Sequence, residues 1–282
     1  MMKKFLSYAI PSALAMFISS LYTVIDGIFV GQGVGDLALA AVNVVIPLTI
    51  MLFGMATMFA VGGGALISKN FGSGNIQNAN VMFRQVFKFL LILSLFISII
   101  CFLFTGPIVK GLGATPDLYE SAKIYLRFYS IFCIPNIIGI ALNSFIRNDG
   151  NPKLAMIATI SGAITNIVLD YLFIFPLQLG LFGAALATGL GQLVTVSILL
   201  IHFIRRQGQL RFGNVKLDFK IIKEFSNIGF PSFFAEAAFS VIIYLTNLAL
   251  ITTVGEAGIT TYSIINYLTT PIYLLLLGLA FG

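Results

Sequence analysis

Apolar residues run along the chain in eight blocks, roughly 7–31, 38–67, 86–106, 119–145, 154–176, 183–204, 228–252 and 259–281. Each is near the roughly 20 residues that carry a helix across a bilayer. Polar residues gather almost entirely between the blocks, and the pattern predicts eight membrane helices. The first block runs on past residue 28 behind Met1-Met2-Lys3-Lys4, too long for a signal-peptide core, and is read as a helix.

The connections alternate in charge. Those after blocks one, five and seven are short and carry no Lys or Arg. Those after blocks two, four and six carry Lys69, Arg84 and Lys88, then Arg147 and Lys153, then a basic run from Arg205 to Lys223. With Lys3 and Lys4, the positive-inside rule places the N-terminus and the even-numbered connections in the cytoplasm. The run 205–224 spaces apolar residues among basic ones, which predicts an amphipathic surface helix on the anionic leaflet.

Composition agrees with that picture. Of 282 residues, 59% are hydrophobic and 9% charged, too few charges to coat a soluble globule. The formal net charge of +6 is explained by the basic connections, so no nucleic-acid partner is implied. Cys101 and Cys133 each lie inside an apolar block and read as small buried hydrophobes. The expected class is an all-α polytopic membrane protein whose first partner is the lipid bilayer.

A shift of 220 residues lays Pro231-Ser232 over Pro11-Ser12, Val254-Gly255 over Val34-Gly35, and Leu268-Thr269 over Leu48-Thr49. Secondary transporters are often built from such repeats, and six spans per repeat imply an axis along the membrane normal. Three units follow: a six-helix lobe over 1–204, a basic linker over 205–226, and two helices of a second lobe over 227–282. Residue 282 then corresponds to residue 62, and the sequence reads as the first part of a protein of roughly 440 residues.

Ionisable groups inside membrane spans are costly and mark function by default. Asp26, Arg127, Asp170 and Glu236 are of this kind. At 1.5 Å per residue, Asp26, Asp170 and Thr188 lie about 8 Å below the outer edge and Asn166 nearer about 15 Å. Two carboxylates, an amide and a hydroxyl from three helices thus share one layer. Hard oxygen ligands suit a proton or a small hard cation such as sodium. Arg127 either pairs with a carboxylate of this cluster or snorkels to the surface. Glu236, five residues after Pro231, is a candidate for a substrate pocket or second site. Pro11 breaks the backbone ladder of the helix that carries Asp26, a candidate hinge. His202 is expected at the membrane interface. GQGVGD at 31–36 reads as a glycine turn, since no strand–helix unit follows it.

The chain resembles the multidrug and toxic compound extrusion (MATE) family, in its bacterial multidrug efflux branch. The resemblance spans essentially the whole sequence. It is carried by IPSALAMFISSLYTVIDGIFVG, GGGALISKNFGSGN, FIRNDGNPKLAM, TNIVLDYLFIF and GAALATGLGQ, in that order. It implies twelve helices in two lobes, of which this sequence holds one lobe and a third of the next. It further implies a monomeric inner-membrane antiporter, not an enzyme, that needs no cofactor and exports cationic amphipathic drugs against sodium ions or protons. The family's cation site matches Asp26, Asn166, Asp170 and Thr188, and its bending proline matches Pro11. A lipid-linked glycan flippase of related fold and a non-transporting scaffold are the alternatives.

Overall fold

The computed structural model describes the backbone of residues 2–281 and the side chains of residues 14–272 apart from Ala15, Met16, Ser19 and Thr270. The described residues form ten helices and no strand. They are α1 (Met2–Gly33), α2 (Asp36–Gly72), α3 (Ile76–Leu103), α4 (Thr105–Gly111) and α5 (Pro116–Ile131). The rest are α6 (Cys133–Asn148), α7 (Pro152–Ile174), α8 (Gly180–Ile204), α9 (Phe219–Thr253) and α10 (Glu256–Phe281).

Every expected block corresponds to a helix or a helix pair. The third continues past Phe104 as the short α4, and the fourth breaks at Phe132 into α5 and α6, bent by 54°. Side chains start several helices: Asn75 accepts from the Asn78 amide, Thr115 from Leu118, and Asn151 from Leu154. Each oxygen satisfies one of the orphan donors of a first helical turn. Pro116 and Pro152 sit at the first helical position, where a missing N–H is harmless.

Two apolar cores hold the bundle. One centres on Phe83, Leu142, Phe145 and Leu199, and the other on Ala40, Val44, Leu118 and Leu126. Large apolar side chains such as Phe96, Leu103 and Val168 remain exposed on the outside, as lipid contact requires. Cys101 and Cys133 are buried free thiols.

The last two helices pack crosswise on the first two, α9 along α2 and α10 along α1. The 220-residue shift maps α1 onto α9 and α2 onto α10, so each of the two contacts is carried onto the other by that shift. α2 and α9 approach so closely that a Cβ on Gly62 would lie 2.0 Å from the Phe225 carbonyl oxygen. One on Gly229 would lie 1.8 Å from that of Met58.

The linker departs from expectation. Residues 205–218 contain no helix, and helical structure resumes at Phe219 as part of α9. The segment is an extended strap tied to α3 by the polar side chains of that helix. Asn80 Nδ2 donates to the Gln209 carbonyl (3.0 Å), Arg84 Nε to Arg211 (3.0 Å), and Gln85 Nε2 to Lys216 (2.8 Å). Those bonds replace the ones a surface helix would have made internally. His202, in the last turn of α8, is fully buried, its Nε2 2.8 Å from Asp149 Oδ2.

Candidate functional site

The site begins with how α7 and α8 meet. Gly162 and Gly191 face each other, and a Cβ on Gly191 would lie 2.8 Å from the Gly162 carbonyl oxygen. Backbone contact this close needs small residues, a common device in membrane helix pairs. It brings Asn166 of α7 against α8, where Asn166 Nδ2 reaches Thr188 Oγ1 at 3.4 Å. One turn further along α7, on the same face, stands Asp170.

Asp26 arrives from α1, which packs along α7. The Asp26 and Asp170 carboxyl groups interact side chain to side chain, and Asn166 acts on Asp170 as well. Asp170 is 0% exposed and Asn166 2%. Asp26 is half-buried, with its Oδ1 shielded from solvent. The structure therefore gathers all four residues that the sequence placed in one layer.

Their oxygens are left unsatisfied by the protein. Asp26 Oδ1, Asn166 Oδ1 and both carboxylate oxygens of Asp170 are buried, and no donor of the described residues reaches them. An unpaired carboxylate in a low-dielectric interior is expensive. These oxygens come together from α1 and α7 with only the Asn166 amide and the Thr188 hydroxyl as nearby donors, and such a set is complementary to a cation. The groups gathered here are carboxylate, amide and hydroxyl, whose oxygens are hard ligands.

Tyr22, Tyr125 and Tyr267 lie within electrostatic range of Asp26, neighbours that sequence reasoning missed. Tyr267 comes from α10 and packs on Gly27, the residue after Asp26; a Cβ there would lie 2.8 Å from the ring. A side chain of α10 thereby packs directly beside the site carried by α1 and α7.

Two other candidates stand apart. Arg127 is exposed on the outside of α5, its guanidinium 4.9 Å from the Phe102 ring centroid. Glu236 lies on α9 against α2, where a Cβ on Gly54 would meet its Cβ at 2.8 Å. Neither acts on Asp26 or Asp170. Pro11, the expected hinge, falls within α1, and its side chain lies outside those described.

Residues 11–172 match the MatE family. The chain belongs to it. This MatE chain is 27% identical over 282 residues to the multidrug export protein MepA of Staphylococcus haemolyticus (strain JCSC1435), covering 99% of the chain and 62% of that protein. The MepA of Staphylococcus saprophyticus is 25% identical with the same coverage. Among solved structures, the MATE multidrug transporter DinF-BH, captured as a complex with a ligand, superposes with a TM-score of 0.92 at 28% identity. It is matched over 98% of this chain and 62% of its own. A MATE protein crystallised in a straight conformation gives 0.86 at 27% identity, and one in a bent conformation 0.83 at 26%, each matched over 98% of this chain and 62% of its own. The MatE chain described here thus spans about 62% of the length of the curated relatives it matches.

Proposed function

We propose that this MatE chain forms the larger part of a cation-coupled multidrug efflux transporter of the bacterial cytoplasmic membrane, with its N-terminus inside. The exported compounds are cationic and amphipathic, and the inward-moving ion is sodium or a proton. The reading is carried by the buried group of donor-less oxygens on Asp26, Asn166 and Asp170. It is supported by relatives described as multidrug export proteins and by a solved relative described as a multidrug transporter.

Asp26 and Asp170 bind the coupling ion, and Asn166 with Thr188 completes the oxygen set. Because Asp26 belongs to α1 and Asp170 to α7, the ion neutralises two like charges on different helices. Two unit charges about 4 Å apart repel by about 4 kcal/mol at an effective dielectric of about 20. Ion release therefore pushes α1 away from α7, and ion binding draws it back. α1 also carries Tyr267 of the second lobe on Gly27, so its displacement is felt across the lobe boundary. Pro11 supplies the bend, and a single subunit with lobes 1–204 and 227–282 joined by 205–226 does the work, without a cofactor.

The test uses the complete protein in liposomes loaded with a fluorescent cationic dye, under an imposed sodium or proton gradient. Efflux driven by one gradient and abolished in Asp26→Asn and in Asp170→Asn supports the reading and names the ion. Undiminished efflux in both variants refutes it.

A further inference from the structure

At the basic end of the bundle, a cavity of about 450 Å³ is lined by Phe203, Ile204, Arg206, Arg211 and Phe212. The function proposed above makes no use of it. We infer that this cavity binds the phosphate headgroup of an anionic phospholipid, with the guanidiniums of Arg206 and Arg211 on the phosphate and the aromatic floor beneath the glycerol and first acyl carbons.

Charge comes first. Among the described residues no Asp or Glu forms an ion pair with either guanidinium. Asp149, which anchors the start of the same strap, is buried and already engaged by His202 and by the amides of Gln209 and Leu210. Arg211 Nη1 donates to the Leu210 carbonyl at 2.8 Å, which fixes the stem and leaves its other donors free for a planar, bidentate acceptor. Arg84 stands beside them, its Nε held by the Arg211 carbonyl. A basic pocket between membrane helices is the setting in which anionic headgroups are recognised.

The second observation is backbone. Arg206 has φ 52°, in the left-handed region where glycine or asparagine ordinarily ends a helix. A long charged side chain at such a position is strained and points to a role for the side chain.

The third observation separates a lipid from a soluble anion. Ile204 is 76% exposed and Phe212 39%, directly beside the guanidiniums. Phe212 lies 4.6 Å from the Phe203 ring, 4.8 Å from Phe87 and 5.4 Å from Phe83, an aromatic shelf where the apolar span of α8 ends. Exposed apolar surface joined to unpaired cations matches the boundary between headgroup and acyl chain, and has no purpose for inorganic phosphate.

The experiment takes the complete protein in a zwitterionic detergent and titrates phosphatidylglycerol or phosphatidylcholine, reading bound lipid by native mass spectrometry. Each basic residue at an anionic surface is worth about 1 kcal/mol, or about fivefold. Arg206→Gln/Arg211→Gln is therefore expected to weaken the tightest phosphatidylglycerol site about 25-fold and leave phosphatidylcholine unchanged. The Lys/Lys pair should lose about fivefold or less. Retention of phosphatidylglycerol by the Gln pair overturns the inference. Displacement of the lipid by an equal concentration of glycerol phosphate overturns it too, and assigns the cavity to a soluble anion. If the double variant does not fold, Arg206→Gln alone decides, since that side chain is exposed; an effect below twofold refutes the site.

Discussion

Asn247 Nδ2 lies 3.2 Å from the backbone carbonyl oxygen of Asn43, four residues before Pro47. Proline has no N–H, so the Asn43 carbonyl has no partner within α2, and the amide of α9 supplies the missing donor. Ser240 Oγ of α9 donates to the Pro47 carbonyl as well, at 2.6 Å, a second bond between the two helices beside the break. A break in one helix is thereby converted into a bond between helices of different repeats.

The effect of Asn247→Leu should accordingly depend on Pro47. In the wild-type background the substitution strands a buried carbonyl, at a cost of about 1–3 kcal/mol. With Pro47→Ala the helix regains its own N–H donor, and the same substitution should cost about half as much or less. Thermal unfolding of the two single variants and the double variant checks this, and simple additivity would contradict the account.

The strap gives a second prediction. His202 Nε2 is 2.8 Å from Asp149 Oδ2, and the two side chains are 0% and 1% exposed. Asp149 Oδ1 also accepts from the Gln209 amide at 2.7 Å, fastening the start of the strap. Asp149→Ala leaves a buried imidazole and two strap amides without their acceptor, a loss of about 3 kcal/mol. Trypsin should then cleave at Arg205, Arg206 or Arg211 under conditions that leave the wild type intact. A variant as resistant as the wild type would show that α3 alone holds the strap.

How far the sequence reached can be judged from these same places. Spans were legible because lipid demands long apolar blocks, and the Asp26–Asn166–Asp170–Thr188 layer was legible because depth in a helix is simply counted along it. The strap was misread for a physical reason. Its apolar residues have helical spacing, but its backbone partners, Asn80, Arg84 and Gln85, come from α3, about 130 residues earlier, and no local pattern announces them. His202 gave no hint of Asp149, its partner 53 positions away. The tyrosines around Asp26 left no signal, since tyrosine within a span is ordinary.

Arg127 offers a third prediction, in which little should change. Its guanidinium lies over the Phe102 ring on the exposed face of α5, a contact worth about 0.5–1 kcal/mol at such sites. Arg127→Gln should lower stability by no more than that and alter dye efflux less than twofold. A variant as inactive as Asp170→Asn would place the arginine in the cation site after all, contrary to the geometry.

The last prediction concerns stability and not transport, so it holds whatever the cargo is. In buffer without sodium and at alkaline pH, the wild type must keep Asp170, 0% exposed, beside Asp26 with no donor for either of its oxygens. Neutralising one partner at constant shape removes both repulsion and desolvation, and replacing buried charge in this way is often stabilising. Asp170→Asn should thus unfold a few degrees above the wild type in that buffer. Added coupling ion should reverse the order. A ligand at about 100 times its Kd stabilises a folded protein by about 2.7 kcal/mol, which corresponds to about 5 °C for a chain of this size. Only the wild type has the paired carboxylates to bind it, so only its Tm should rise, with sodium at fixed pH or with protons in sodium-free buffer. Parallel rises in wild type and variant would mean that the ion acts elsewhere, and the four oxygens would then be no more than a buried polar contact between α1, α7 and α8.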